Sequence, residues 1–262
     1  MLKILIFIFL ISPSYLMAQH SIKGTFSPAE DYPFAVLYKV TPTSTQYVAN
    51  TQMDEKGNFQ FDLDSTVTQG MYRLVYALPQ EEFNFDIIYS AKEDILLTFN
   101  AETGIEYKSS IENTLVNSYT KSMSVISQSI GGFYNSQSQD SSALVSIFNT
   151  QKETQLEYEK AAEGTIAGNF IVANRPYIPE SYEDISTYID NIKKQFFNDV
   201  NFNNEILQSS NFLIERVLNY VFGMSTNEED EITDYIRNID EVYMAMRDAN
   251  PEIKSKLLEV VW

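Results

Sequence analysis

The sequence predicts an α+β protein, in which an N-terminal antiparallel β-sandwich of seven to eight strands is followed by a C-terminal α-helical bundle region. Three observations lead to this prediction. Short segments that alternate apolar and polar residues fill residues 20–108, which is the pattern of half-buried strands. From Ser110 onward the apolar residues recur every three or four positions, as on one face of a helix. The chain has no cysteine, so packing alone must stabilise both regions.

The predicted strands are joined by turns and not by helices, which argues against a parallel sheet of the βαβ type. Residues 59–63 alternate strictly, and Gly57 in the turn before them suits a positive φ. We therefore expect antiparallel neighbours in the sandwich. The predicted strands cover residues 20–26, 34–40, 46–51, 59–63, 70–78, 83–89 and 95–99, with an eighth near Tyr107.

The helical region begins with one long apolar stripe over residues 111–130, which Gly131-Gly132 is predicted to end or kink. Residues 206–222 form a second segment that is strongly apolar on one side. Acidic residues at 228–231 are expected in the first turn of a helix, where the helix dipole favours anions. The predicted starts of the later helices are Asp140 or Ser141, Ser181, a residue within 225–227, and the pair Asn250-Pro251.

The first residues have the order of a secretory signal peptide. Lys3 precedes an apolar run at 4–11, and the small residue Ala18 stands just before Gln19. The run is about 8 residues long, far shorter than the ~20 residues that span a bilayer. We therefore expect cleavage after Ala18 and export to the periplasm or cell envelope, with no membrane association afterwards.

These patterns divide the chain into a signal peptide at 1–18, a β-sandwich domain at 19–109 and a helical domain at 110–262. The last predicted helix reaches Trp262 without the Gly, Asn or basic residue that commonly closes a helix. We therefore expect the helical domain to continue beyond the given C-terminus. A natural end that docks into the bundle is the alternative.

Charge and composition exclude several classes of function. The chain has 18 Lys+Arg against 36 Asp+Glu, a formal net charge of −18, which is unsuited to binding nucleic acid. The absence of cysteine excludes thiolate chemistry and iron–sulfur clusters, and a single histidine excludes a multi-histidine metal site. That histidine, His20, is expected in an exposed N-terminal tail. No catalytic residue, cofactor or metal site is predicted, and we interpret the chain itself as not being an enzyme.

Five aromatic residues on neighbouring predicted strands form a candidate binding surface. Such a set can line a ligand or partner surface, although it more often forms the core of a sandwich. The five residues are Tyr72, Tyr76, Phe83, Phe85 and Tyr89.

Five short segments occur in an order that resembles a known family of secreted bacterial proteins. They are Ile22-Lys23-Gly24, Asp54-Glu55-Lys56-Gly57-Asn58-Phe59, Gly70-Met71-Tyr72-Arg73-Leu74, Asp94-Ile95-Leu96-Leu97-Thr98-Phe99 and Ser110-Ile111-Glu112-Asn113. The chain is similar to the N-terminal region of TlpA/ResA-like thiol–disulfide oxidoreductases of the AhpC/TSA thioredoxin family. In these proteins a β-domain of unknown function and a helical region precede the thioredoxin domain.

The resemblance covers about residues 19–262 and is strongest over 20–113. It implies a redox centre in a Cys-x-x-Cys motif of the later thioredoxin domain. No residue here matches that motif, so the resemblance assigns no catalytic residue to this chain.

Two interpretations of the function follow. The first is a non-catalytic accessory region that positions or dimerises a missing thioredoxin-like redox domain, or binds its client protein. The second is a free-standing periplasmic or surface module that binds a glycan or a peptide on the aromatic set. A hydrolase built on two carboxylates is a third and weaker alternative, because no pair among the many Asp and Glu residues is marked out.

Overall fold

The structure, a computed structural model, describes residues 20–42, 44–225 and 230–261. In these residues eight strands come first and eight α-helices follow, which confirms the α+β class. The last strand ends at Ser109 and the first helix begins at Ile111. The predicted signal peptide at 1–18 lies outside the described residues.

The eight strands form two sheets of four. Their bounds are β1 His20–Ser27, β2 Phe34–Val40, β3 Thr45–Gln52, β4 Asn58–Leu63, β5 Gly70–Val75, β6 Asn84–Tyr89, β7 Ile95–Asn100 and β8 Gly104–Ser109. The first sheet has the order β4-β1-β7-β8 and the second has the order β3-β2-β5-β6. Strands β8 and β6 are therefore edge strands of their sheets.

One pairing departs from the predicted antiparallel arrangement, because β1 and β7 run parallel, with Ile22 opposite Ile95. The other neighbouring strands within the two sheets are antiparallel. A parallel pair needs a long crossover between its strands. Here the connection runs through β2 to β6, four of which belong to the second sheet, and not through an α-helix, so the prediction of a purely antiparallel sandwich is wrong at this pairing.

The second sheet is covered on both faces. Tyr72 and Leu74 of β5 point into the sandwich core, which also contains Phe26 and Leu97. The side chain between them in the sequence, Arg73, points to the opposite face, as alternation along a strand requires. On that outer face Val40, Met71 and Ile88 belong to the hydrophobic core of the helical region. The helices therefore form a third layer on the second sheet.

The helices are α1 Ile111–Asn135, α2 Ser141–Ala161, α3 Ala167–Ala173, α4 Ile185–Gln195, α5 Glu205–Gln208, α6 Phe212–Leu218, α7 Glu231–Ala245 and α8 Pro251–Glu259. A π-helical turn, Asn219–Gly223, continues α6. The apolar segment at 206–222 is thus split between α5, α6 and this turn.

Two of the predicted helix starts are confirmed. Asp140 caps α2 by accepting a hydrogen bond from the N–H of Ala143, and Asn250 caps α8, whose first residue is Pro251. The other two are wrong. Asp184 caps α4 in place of Ser181, and Asp230 caps α7. Residues 226–229, which include most of the predicted acidic first turn, lie outside the described residues.

The predicted break at Gly131-Gly132 is wrong, because α1 continues through both glycines to Asn135. A Cβ atom at either position would have no neighbour within 4 Å. Glycine is a poor helix former, but α1 continues through both glycines, at positions where no other residue packs against them.

Gly57 is required by the turn before β4. Its φ is +77°, and an added Cβ would lie 2.2 Å from the carbonyl oxygen of Phe26. We expect Gly57→Ala to destabilise the chain by well over the roughly 1–2 kcal/mol of left-handed strain alone. Gly104→Ala is the matched control, because its φ is +80° but no atom lies within 4 Å. Chemical denaturation of both variants measures the difference, and equal losses of stability would contradict the steric explanation.

Candidate binding cleft between the second sheet and the helices

The five predicted aromatic residues do not share one exposed surface. Tyr72 and Tyr89 are 0% and 2% exposed and pack edge to face in the sandwich core. Burial raises the pKa of Tyr72 to about 12, and its hydroxyl donates to the carbonyl of Thr68. Tyr76 and Phe85 are partly buried against the same core, and Phe83 contacts the ring of Tyr76. Of the five, Phe85 alone lines the cleft described below.

His20 is the first residue of β1 and not part of a tail, so the prediction of an exposed tail residue is wrong. Its ring contacts that of Tyr89 edge to face, at a centroid distance of 6.4 Å. Its main chain pairs with Leu63 of β4.

Three polar residues at the start of α1 fix this end of the helix, one by capping α1, one by binding α3 and one by binding the second sheet. Ser110 caps the helix by accepting from the N–H of Asn113. The buried carboxylate of Glu112 accepts from the N–H groups of Ile166 and Ala167, at 3.2 and 2.7 Å, and so caps α3. Buried polar groups of this kind are stable only when they are hydrogen-bonded.

Asn113 makes the most specific of these contacts. Its side-chain Oδ1 accepts from the N–H of Ile88 at 2.8 Å, and its Nδ2 donates to the carbonyl of Ile88 at 2.7 Å. The amide therefore satisfies both main-chain groups of one residue on the edge strand β6. In the sequence, Ser110, Glu112 and Asn113 stand out only as part of the resemblance described above. The signal in the sequence is the cluster of polar residues between the last predicted strand and the first apolar helix, which indicates a buried contact between the sheet and the helices.

A cleft of about 660 Å³ lies beside this junction. We call it the junction cleft. Its walls come from β6, β8, α1 and α6, and they include Asn84, Asp86, Tyr107, Asn117, Phe212 and Glu215. Clefts between packed layers are common places for ligands to bind.

The junction cleft is acidic. The side chains of Glu81, Glu82, Asp86 and Glu215 line it, and no lysine or arginine is among its described lining residues. Asp86 is paired with Arg73, whose Nε and Nη2 lie 2.8 and 3.0 Å from the carboxylate oxygens. The second Nη2 contact of Arg73, at 2.8 Å, goes to Asn211 at the start of α6.

Two groups in the junction cleft have perturbed pKa values. Burial, and then the charge of Asp86, raise the pKa of Glu215 above its ordinary value, while Arg73 opposes this shift. Burial and Asp86 also raise the pKa of Tyr107 well above its usual range. The cleft therefore disfavours further negative charge.

An adjoining cavity of about 490 Å³ shares Thr120, Asn174, Phe212 and Glu215 with the junction cleft. Two of its lining residues have a buried polar atom that forms no hydrogen bond within the described part of the chain, Nε of Arg216 and Oε1 of Gln151. Burial lowers the pKa of Arg216, whose guanidinium lies 3.9 Å from the centre of the Phe196 ring. Unpaired buried polar atoms are rare, and they are typical of positions where a ligand or water completes the structure.

A larger cavity of about 850 Å³ lies between α4 and α7. Two of its polar lining residues, Lys193 and Tyr220, are hydrogen-bonded to side chains of α7. Lys193 donates to Asn238 at 2.7 Å, and Tyr220 donates to Glu241 at 2.6 Å. These contacts hold the helices together, so we favour the junction cleft as the candidate site.

Glu215 gives a pH-dependent prediction. Its pKa is higher in the folded chain than in the unfolded chain, so its contribution favours folding at low pH and is lost as the pH rises through the folded value. We expect Glu215→Gln to leave stability at pH 3 unchanged and to raise it at pH 7. The gain should stay below about 1 kcal/mol, because water screens a carboxylate at the mouth of a cleft. Urea denaturation at the two pH values measures it, and a variant that is less stable at pH 7 would contradict the assignment.

Within the described ranges, no group of three or more His, Asp or Glu side chains is placed to hold a metal ion. None of the helices in those ranges has both the length and the apolar character needed to cross a membrane.

Comparison with protein-family models, with curated proteins and with solved structures finds no match for this chain.

Proposed function

We propose that this chain is the non-catalytic N-terminal accessory region of an exported thioredoxin-like thiol–disulfide oxidoreductase, and that it binds the client polypeptide in the junction cleft. The thioredoxin-like domain would be the redox partner, in the periplasm or cell envelope. The observation that carries the proposal is the acidic junction cleft, which is bounded by the edge strand β6 and adjoins a cavity where two buried polar atoms form no hydrogen bond within the described residues. Thiol–disulfide exchange needs a cysteine thiolate, so the redox step would take place on the thioredoxin-like domain and not on this chain, which has no cysteine.

A free-standing module that binds a peptide in the same cleft is the second candidate. The position of the aromatic residues favours a peptide over a glycan as its ligand. Sugars stack on exposed aromatic faces, whereas Tyr72 and Tyr89 are in the sandwich core. The two candidates differ in the partner domain and not in the site.

Binding to an unfolded protein tests the site. A suitable probe is reduced, carboxamidomethylated ribonuclease A, a basic unfolded polypeptide, labelled with a fluorophore, with binding measured by anisotropy. Thr120 is exposed on α1 and lines both adjoining cavities, so we expect Thr120→Trp to fill the entrance and weaken binding by more than about ten-fold. Ala245→Trp, in the cavity between α4 and α7, is the control and should bind like the parent chain. Equal binding by both variants would contradict the proposal.

The reading frame past Trp262 tests the link to an oxidoreductase. A frame that continues into a domain with a Cys-x-x-Cys motif supports the proposal. A stop codon directly after Trp262 would contradict the link to a redox domain on the same chain and leave the free-standing peptide-binding module as the better description.

A further inference from the structure

The edge of β6 that faces the junction cleft has unpaired main-chain groups. Tyr76 donates its N–H to the carbonyl of Phe83 at 3.0 Å, so the main chain of Phe83 points towards β5. The orientation alternates along an antiparallel strand, so Asn84, Asp86 and Ile88 point to the free edge. In the described part of the chain, no side chain or loop hydrogen-bonds with the main chain of Asn84 or Asp86 on that side.

One peptide-like group, a side-chain amide, already pairs with this edge of β6. The side-chain amide of Asn113 pairs with both main-chain groups of Ile88, as a residue of an added strand would. The next outward-facing position, Asp86, lies two residues or about 6.8 Å along the strand. It borders the junction cleft and has no such partner. The space beside the main chain of Asp86, where the next residue of an added strand would lie, is therefore open.

The charge of the junction cleft indicates which polypeptide would enter it. Glu215 forms no ion pair within the described residues and stands across the cleft from β6, while Glu81 and Glu82 lie at the end of the strand. Asp86 is already neutralised by Arg73. An incoming strand with lysine or arginine side chains would supply the missing positive charge, and an acidic strand would be repelled.

We propose that an extended cationic segment of the bound polypeptide adds to the free edge of β6 at Asn84–Asp86 as a fifth strand of the second sheet, with its basic side chains facing Glu215. This inference rests on the proposed function, because it names the chemistry of the polypeptide that the cleft receives. Main-chain hydrogen bonds provide the affinity in such strand addition, and side-chain charges provide the selectivity.

Three synthetic peptides separate main-chain pairing from charge. The first is acetyl-Lys-Val-Lys-Val-Lys-Val-amide, the second has the same sequence with N-methyl groups on alternate residues, and the third has glutamate in place of lysine. We expect the first to bind the mature chain, and the other two to bind at least about ten-fold more weakly. With the first peptide bound, amide hydrogen exchange at Asp86 should slow, whereas exchange at Ile88 should change little because Asn113 already protects it.

Two variants of the chain test the same edge. Proline is tolerated on an edge strand when its nitrogen faces outward, but it removes the N–H donor. We expect Asn84→Pro to weaken binding of the first peptide much more than Asn84→Ala does, because both variants lose the side chain and only the proline variant loses the N–H. Circular dichroism confirms that both variants are folded.

Each other outcome overturns the inference. Equal binding of the methylated and unmethylated peptides would exclude strand addition and leave polypeptide binding in the cleft intact. Stronger binding of the glutamate peptide would exclude a cationic segment. A dimer of this chain that is lost in Asn84→Pro would assign the edge to a second copy. Failure of unfolded, basic ribonuclease A to bind at all would instead overturn the proposed function.

Discussion

Tyr72→Ala is expected to lower the free energy of unfolding by about 3–5 kcal/mol, the usual cost of deleting a large buried aromatic side chain. The ring is fully buried between the two sheets, next to that of Tyr89. Tyr72→Phe is the matched control, because it keeps the ring and loses only the hydrogen bond to Thr68, at a cost of about 1 kcal/mol. Denaturant unfolding measures both values.

The same pair of variants decides between the two sequence-based interpretations of the aromatic residues. A core residue affects stability, whereas a residue of a binding surface affects ligand affinity in a chain that remains stable. If Tyr72→Ala retained the stability of the parent chain and lost binding to a glycan or peptide, the core assignment would be wrong.

Asn113→Ala is expected to cost about 2–4 kcal/mol, because it leaves the N–H and the carbonyl of Ile88 unpaired in a buried place. The loss should be accompanied by faster hydrogen exchange at Ile88, measured by NMR. Asn117→Ala is the matched control. Asn117 is one turn further along α1, is half-buried, and has no side-chain hydrogen bond within the described residues, so we expect a change within about 0.5 kcal/mol.

Equal losses of stability in the two asparagine variants would show that the junction does not depend on the amide of Asn113. The expected difference would instead establish that α1 is fixed to the edge of the second sheet. That attachment defines one wall of the junction cleft.

Local patterns in the sequence were enough to predict the strands. Alternation along 59–63 reports burial of one face, and the strands at 59–63 and 34–40 both form close to the predicted bounds. The parallel pairing of β1 with β7 was not predictable in this way, because alternation is the same whichever neighbour a strand has. Of the four predicted starts of the later helices, those at Asp140 and Asn250 were correct, whereas α4 and α7 are capped by Asp184 and Asp230.

The candidate site was largely hidden from sequence reasoning. Tyr72 and Phe85 lie on strands that were predicted correctly, but the sequence cannot show which face of a sheet is covered by helices. The pairing of Asn113 with Ile88 joins residues 25 positions apart, and that of Arg73 with Asn211 joins residues 138 apart. Such contacts depend on how the layers pack, and periodicity carries no information about them.

Hydrogen–deuterium exchange of residues 19–262, with and without unfolded carboxamidomethylated ribonuclease A, tests the central claim most directly. If the chain binds clients in the junction cleft, exchange will slow in the segments that contain Asn84–Asp86, Asn117–Thr120 and Phe212–Glu215, and it will be unchanged around α4 and α7. Protection confined to α4 and α7, or an unchanged pattern at saturating concentrations of the client, would contradict the claim.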